Sequence, residues 1–108
     1  MIYYYIVPCV LMLFDIISGV LYAIISKTLS STKAREGLYH KTGLILLLAL
    51  SSFLTWAQGY IDLGIQIPLL QATSIYISMT EIISILENIK KLNPDMTEFI
   101  DKYIKKDK

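Results

Sequence analysis

The chain has one cysteine, Cys9, and one histidine, His40. A single cysteine excludes an internal disulfide bond, and these two residues are too few for a cysteine–histidine metal site. No serine, histidine and acidic residue stand at a spacing typical of a catalytic triad, and the sequence lacks a glycine-rich phosphate loop. We therefore expect a protein without enzymatic activity, cofactor or metal ion.

Basic residues are absent from most of the chain. All 10 Lys and Arg residues fall either in segment 26–42 or after Ile89. Hydrophobic residues make up 55% of the sequence and form long runs before the first basic cluster and between the two clusters. Segregated charge and long apolar runs are typical of an integral membrane protein. The pattern leaves no basic stripe suited to nucleic acid.

The first apolar run, Ile2 to Ile25, also lacks the features of a cleaved signal peptide. No basic residue precedes Lys27, the run exceeds the ~7–15 apolar residues of such a peptide, and its end offers no small-residue cleavage site. A helix of ~20 apolar residues crosses a ~30 Å hydrocarbon core. We expect this run to be retained as a transmembrane helix.

The hydropathy pattern predicts a single all-α membrane domain over residues 1–108. Its transmembrane helices lie at about residues 4–25, 43–61 and 68–89, with a basic cytoplasmic loop at 26–42 and a cytoplasmic tail at 90–108. The third helix leaves the membrane near either Glu81 or Ile89, because only residues 63–80 of that region are free of charge. No internal repeat is visible.

The tail carries apolar residues at helical spacing, which predicts a short amphipathic C-terminal helix. These residues are Met96, Phe99, Ile100, Tyr103 and Ile104. Lysines lie on or beside the polar face of this helix. It would rest on an anionic inner leaflet or pair with the tail of a second copy.

The basic clusters also predict the orientation of the chain. They include Lys27, Lys33, Arg35, Lys41, Lys90 and Lys91, whereas segment 58–67 has no basic residue. Because cytoplasmic loops carry the excess of Lys and Arg, the first loop and the C-terminus are expected in the cytoplasm. The N-terminus and Asp62 are then expected outside.

Polar residues line one face of each predicted transmembrane helix. The faces comprise Asp15, Ser18, Gly19 and Tyr22 on the first helix, Ser51, Ser52 and Thr55 on the second, and Gln71, Ser74, Ser78 and Glu81 on the third, with Ser84 at the edge and Asn88 a turn beyond. Small and hydroxylic residues at these positions either pack helices together or line a pore. Both interpretations stay open for this chain.

Asp15 is expected to have a function because a charge near the bilayer centre costs at least ~2.5 kcal/mol. No Lys or Arg lies inside a predicted span, so we expect Asp15 to lack an ion-pair partner at its depth. It would be neutral, hydrogen-bonded or facing water. Three helices cannot enclose a wide channel, so acidic faces of this kind favour a homo-oligomer.

Three motifs resemble those of the phage lysis and toxin-secretion holins. They are Asp15 followed by Gly19, Ser30-Ser31-x-Lys33-x3-Gly37-Leu38-x2-Lys41, and Glu81-x2-Ser84-Ile85-Leu86-Glu87-Asn88 followed by Pro94. Their order and spacing cover nearly the whole chain. The family usually places Gly and Pro close together after the third motif, whereas this chain has Lys-Lys-Leu-Asn-Pro.

The resemblance implies a homo-oligomer in the lipid bilayer of the bacterial cytoplasmic membrane. It implies lesions through which an endolysin, or in some relatives a toxin, leaves the cell without being stably bound. Two other functions remain open: an accessory subunit docked through the tail helix, and a small proton-coupled transporter. The transporter fits Asp15, but such transporters have four spans and this chain has material for three.

Overall fold

A computed structural model describes residues 2–65 and 68–103 of the chain, and within these ranges the regular structure is entirely helical. The helices are α1 (Tyr3–Ser26), α2 (Ser31–Ala57), α3 (Leu69–Leu92) and α4 (Thr97–Tyr103), with a 3₁₀ turn at Pro94–Met96 before α4. Three of them, α1 to α3, are long and apolar enough to cross a membrane. The predicted all-α fold with a short C-terminal helix is confirmed.

Local sequence explains where α2 and the 3₁₀ turn begin. The Ser30 side chain accepts a hydrogen bond from the Lys33 backbone N–H at 3.1 Å and so caps the start of α2. The Asn93 side chain accepts from the Asp95 backbone N–H at 3.3 Å, and Pro94 opens the 3₁₀ turn. The turn after α3 therefore forms without a glycine.

Most of the predicted loop 26–42 is helical, so that part of the prediction is wrong. Helix α2 begins at Ser31 and continues without a break into the apolar segment. Hydropathy marks where the chain becomes apolar, but a helix begins where its first turn is capped, and here the two positions lie about three turns apart. At the other end, α2 stops at Ala57, and α3 continues past both Glu81 and Ile89 to Leu92.

Helices α1 and α3 run parallel, with matched residues 69 positions apart in the chain. This offset joins Asp15 to Ser84 by a hydrogen bond. The same offset brings Gly19 against Asn88, whose amide nitrogen would lie 3.6 Å from a Cβ placed at Gly19. Helix α2 is antiparallel to both, because its later residues contact earlier positions of α1 and α3.

The apolar core lies between the three long helices. It consists of Met12, Leu44, Leu48, Leu70 and Ile77, with Tyr4 and Tyr5 packed against it. Most other large apolar side chains of these helices point outward, among them Phe14, Leu46 and Phe53. An outward apolar surface suits a bilayer, because lipid tails are as apolar as these side chains.

Candidate functional site

Lys41 of α2 joins acidic residues of the two other long helices. Its ammonium nitrogen lies 2.7 Å from Asp15 Oδ2 and 2.8 Å from Glu81 Oε1. The Glu81 side chain is only 1% exposed, and the side chains of Lys41 and Asp15 are 11% and 12% exposed. One cation therefore bridges two carboxylates inside the bundle.

The second carboxylate oxygen of Asp15 is bound by neutral donors of α3. Ser84 Oγ donates to Asp15 Oδ1 at 2.7 Å, and Asn88 Nδ2 donates to the same atom at 3.0 Å. Asn88 also donates to Ser18 Oγ at 2.9 Å. These contacts define the polar cluster: Asp15, Ser18, Lys41, Glu81, Ser84 and Asn88.

The positions of these residues on their helices explain why they meet. Asp15 and Glu81 each lie at the middle of a helix of 24 residues. Lys41 lies three positions before Leu44, a core residue, so both side chains leave α2 on the same face. The face of α2 that carries its apolar core residues thus also brings Lys41 to the two acids.

The prediction that Asp15 lacks an ion-pair partner at its depth is wrong. It treated Lys41 as part of a loop outside the membrane, whereas Lys41 belongs to the continuous helix α2. The sequence did carry a signal, because Lys41 lies three positions, or about one helical turn, before Leu44, where an apolar run of α2 begins. Ser84 and Asn88, placed at the margin of the predicted polar face, are direct partners of Asp15.

The polar cluster holds two carboxylates and one ammonium group, which leaves one formal negative charge. Removing a single partner from such a buried pair is far more costly than replacing all charged members together, because it leaves an uncompensated charge. Within the described residues, every buried side-chain nitrogen or oxygen has a hydrogen-bond partner. The polar cluster therefore joins three helices, and none of its buried polar atoms lacks a hydrogen-bond partner.

A second polar contact region, the hydroxyl layer, comprises Tyr5, Ser51, Ser52, Thr55 and Thr73. Ser51 Oγ and Thr73 Oγ1 are hydrogen-bonded at 2.6 Å and buried, and the Tyr5 and Ser52 hydroxyl groups are hydrogen-bonded to each other. Thr55 donates to the Ser51 carbonyl oxygen at 2.8 Å. Ser51 lies ten positions after Lys41, so the layer is ~15 Å from the polar cluster along α2.

The other polar residues predicted on the helix faces lie along the same contacts. Ser74 is buried, Gln71 and Ser78 are half-buried, and Gly19 faces Asn88. The Lys91 ammonium nitrogen is 5.4 Å from the centre of the Tyr22 ring, a cation–π distance. In the single chain, these residues lie on faces that the helices turn toward one another.

Of the other basic residues predicted to set the orientation, Lys27 lies in the turn between α1 and α2, Lys33 and Arg35 lie near the start of α2, and Lys90 and Lys91 lie in the last turn of α3. Lys27, Lys33 and Arg35 are exposed. Lys90 contacts Asp101 of α4 at 2.8 Å and Glu87 at 3.5 Å. The end of α3 is thereby tied to α4 by an ion pair.

The apolar residues of the tail differ in burial. Ile100 is buried and Met96 is half-buried, whereas Phe99 and Tyr103 are exposed and their rings contact each other. Ile104 lies outside the described residues. Among the described residues, no group of three or more His, Cys, Asp or Glu side chains is placed to hold a metal ion.

The sequence of this chain matches the family described as the bacteriophage holin family over residues 1–108. No curated protein and no solved structure was found to match it. The family match spans all three apolar helices, the polar cluster and the tail. The chain therefore belongs to the bacteriophage holin family, as a multi-pass protein of the cytoplasmic membrane.

Proposed function

We propose that this protein is a holin that assembles in the cytoplasmic membrane and forms lesions through which an endolysin or a toxin leaves the cell. The observation that carries the proposal is the family match over the whole chain, together with three helices that can span a membrane. The proposed orientation has the N-terminus and Asp62 outside and Lys33 in the cytoplasm, as the distribution of basic residues favours.

In this proposal the bundle described above is the closed protomer. Its long helices present apolar side chains outward, and its buried charges are paired within the chain. Such a protomer can disperse in lipid without exposing a charge to hydrocarbon. It is suited to accumulate before any lesion forms.

A water-filled lesion needs a polar wall, and the closed protomer keeps its polar side chains inside. The polar cluster and the hydroxyl layer are available for such a wall at any α1/α3 pair that α2 does not cover. Opening must therefore separate helices that these groups now hold together. We propose that α2 moves, because most of the contact between the long helices joins α1 to α3 and far less of it involves α2.

The test is induced expression in bacterial cells while membrane potential and uptake of an impermeant dye are followed in time. We expect an abrupt loss of potential and simultaneous dye uptake at a reproducible time after induction. Leu46→Ala, a change on the outward face of α2, serves as a matched control and should keep the wild-type behaviour.

Intact potential and no dye uptake at high membrane levels of the protein would contradict the proposal and favour an accessory subunit. Co-expression with a peptidoglycan hydrolase that has no export signal, and separately with a large toxin, identifies the cargo. Release of either protein that begins with dye uptake is the expected result. Release that precedes dye uptake would speak against the lesion as its route.

A further inference from the structure

We infer that the face of the α1/α3 pair around Asp15 and Glu81 is a docking surface for α2 of a second copy of this chain. The inference rests on the proposed function, because it describes how protomers join once the closed bundle opens. In the assembled state, each copy gives its α2 to one neighbour and receives α2 from another.

Charge complementarity is the first argument for this occupant. Asp15 and Glu81 both contact Lys41, and without α2 the carboxylate of Asp15 retains only the neutral donors Ser84 and Asn88. Leaving carboxylates without a cation in a poorly solvated site is costly. Lys41 of a second copy supplies the same ammonium group at the same depth.

The fit of the rest of α2 is the second argument. In the closed protomer, Leu44 and Leu48 belong to the apolar core, and Ser51 bonds to Thr73. An α2 from another copy would make these same contacts, because they keep the same spacing along the helix. The exchanged arrangement therefore needs no side-chain contact that is absent from the closed protomer.

The tethers of α2 permit the exchange. Four residues, 27–30, connect it to α1, and eleven residues, 58–68, connect it to α3. At ~3.3–3.6 Å per residue, the shorter connection spans ~17 Å between Ser26 and Ser31 when extended. Packed helices lie ~8–10 Å apart, so α2 can reach an adjacent α1/α3 pair while joined to its own.

An exchange of this kind is heterologous, because the surface that α2 presents differs from the surface that receives it. Heterologous contacts continue from copy to copy and produce either rings or open arrays. The same contacts that close a protomer would thus build an assembly of many copies. Apolar outward faces alone offer no comparable specificity.

The first test uses two differently tagged chains that both carry Cys9→Ser. One chain also carries Ser51→Cys and the other Thr73→Cys, at two positions whose hydroxyl oxygens are 2.6 Å apart. A membrane-permeant oxidant is added before and after dye uptake. Because each chain has a single cysteine, a disulfide that joins the two tags forms only when α2 of one chain lies on α3 of the other.

We expect the mixed disulfide to appear as dye uptake begins. The control replaces Ser51→Cys by Leu50→Cys, on the exposed side of α2, and should give no mixed disulfide. Dye uptake without a mixed disulfide, while a chain with both cysteines forms one internally, would overturn the inference alone. A mixed disulfide without dye uptake would support the docking surface and contradict the proposed function; absence of both would contradict both.

The second test needs no cysteine. One chain carries Lys41→Met and keeps both acids, and the other carries Asp15→Asn with Glu81→Gln and keeps Lys41. In either chain alone, Lys41 and the two acids are never present together, so the ion pairs cannot form in the closed protomer or in a homo-oligomer. If the two chains exchange α2, Lys41 of one chain lies against Asp15 and Glu81 of the other. The methionine then lies against the asparagine and the glutamine.

We expect dye uptake from the mixture to recover at least tenfold over either chain alone, at equal membrane levels measured by immunoblot. A mixture no more active than the better single chain would overturn the inference, because matched sites would then fail to form between copies. The wild-type chain expressed at the same level is the reference for full activity.

Discussion

The ammonium group of Lys41 lies between the carboxylates of Asp15 and Glu81, at 2.7 and 2.8 Å, and thereby connects α2 to the middles of α1 and α3. These ion pairs hold the three long helices together beside the apolar core. Buried pairs of this kind are costly to break by removing one partner and cheap to replace as a set. The stability of the closed protomer should therefore depend on the match between these residues.

Lys41→Met should destabilise the closed protomer by about 3–5 kcal/mol, because Asp15 and Glu81 then remain buried without their cation. The triple variant Asp15→Asn, Lys41→Met, Glu81→Gln should recover most of this loss. Unfolding of purified protein in detergent micelles, followed by circular dichroism, measures both effects. A single variant as stable as the wild type would show that the ion pairs contribute nothing to the bundle.

Asp15→Asn and Asp15→Leu should have different effects on lesion formation. Asparagine keeps an oxygen that accepts from Ser84 and Asn88 but removes the charge opposite Lys41. We expect its lesions to be late or weak. Leucine removes both interactions and should insert normally without producing lesions. Dye uptake at matched expression separates the two variants, and wild-type permeabilisation by Asp15→Leu would make Asp15 dispensable.

The orientation can be read by cysteine labelling in intact cells on a Cys9→Ser background. Lys33 and Asp62 are both exposed, so a cysteine at either position is open to a reagent on its own side of the membrane. We expect an impermeant thiol reagent to label Asp62→Cys and to leave Lys33→Cys unlabelled until the cells are broken. Labelling of Lys33→Cys alone in intact cells would reverse the proposed topology.

Deleting residues 95–108 should change the timing of lesions while preserving permeabilisation. The tail is held to α3 by the Lys90–Asp101 ion pair and by buried Ile100, away from the polar cluster. Lysines near an anionic leaflet can each add ~1 kcal/mol of membrane attraction, which is a means of tuning assembly. The time course of dye uptake measures the shift. A truncated protein that inserts normally but forms no lesion would assign the tail to the lesion itself.

The sequence predicted the fold because hydropathy and helical spacing are local signals. The three apolar runs and the spacing of the tail residues are both typical of helices, and each corresponds to a helix of the structure. It did not predict that α2 begins three turns before its apolar part, since polar residues are compatible with both a loop and an exposed helix. Because of that one boundary, Lys41 was assigned to a loop and its ion pairs with Asp15 and Glu81 were not predicted.

The polar faces were predictable, but their pairing was not. Helical spacing placed Asp15 and Ser18 on one face and Ser51 on another, yet partners such as Ser84 and Thr73 depend on how the helices are aligned. The constant offset between α1 and α3 arises from tertiary packing and has no counterpart in local sequence. For this reason, Ser84 and Asn88 stood only at the margin of the predicted face.

The claim that α2 must leave its own α3 before a lesion forms is tested most directly by a reversible lock. A Cys9→Ser chain with Ser51→Cys and Thr73→Cys is oxidised soon after induction, before dye uptake, and Leu50→Cys with Thr73→Cys is the control. The locked protein should show no dye uptake until a membrane-permeant reductant is added, and abrupt uptake should follow within minutes. Dye uptake by the fully oxidised chain at the wild-type time and extent would contradict the claim.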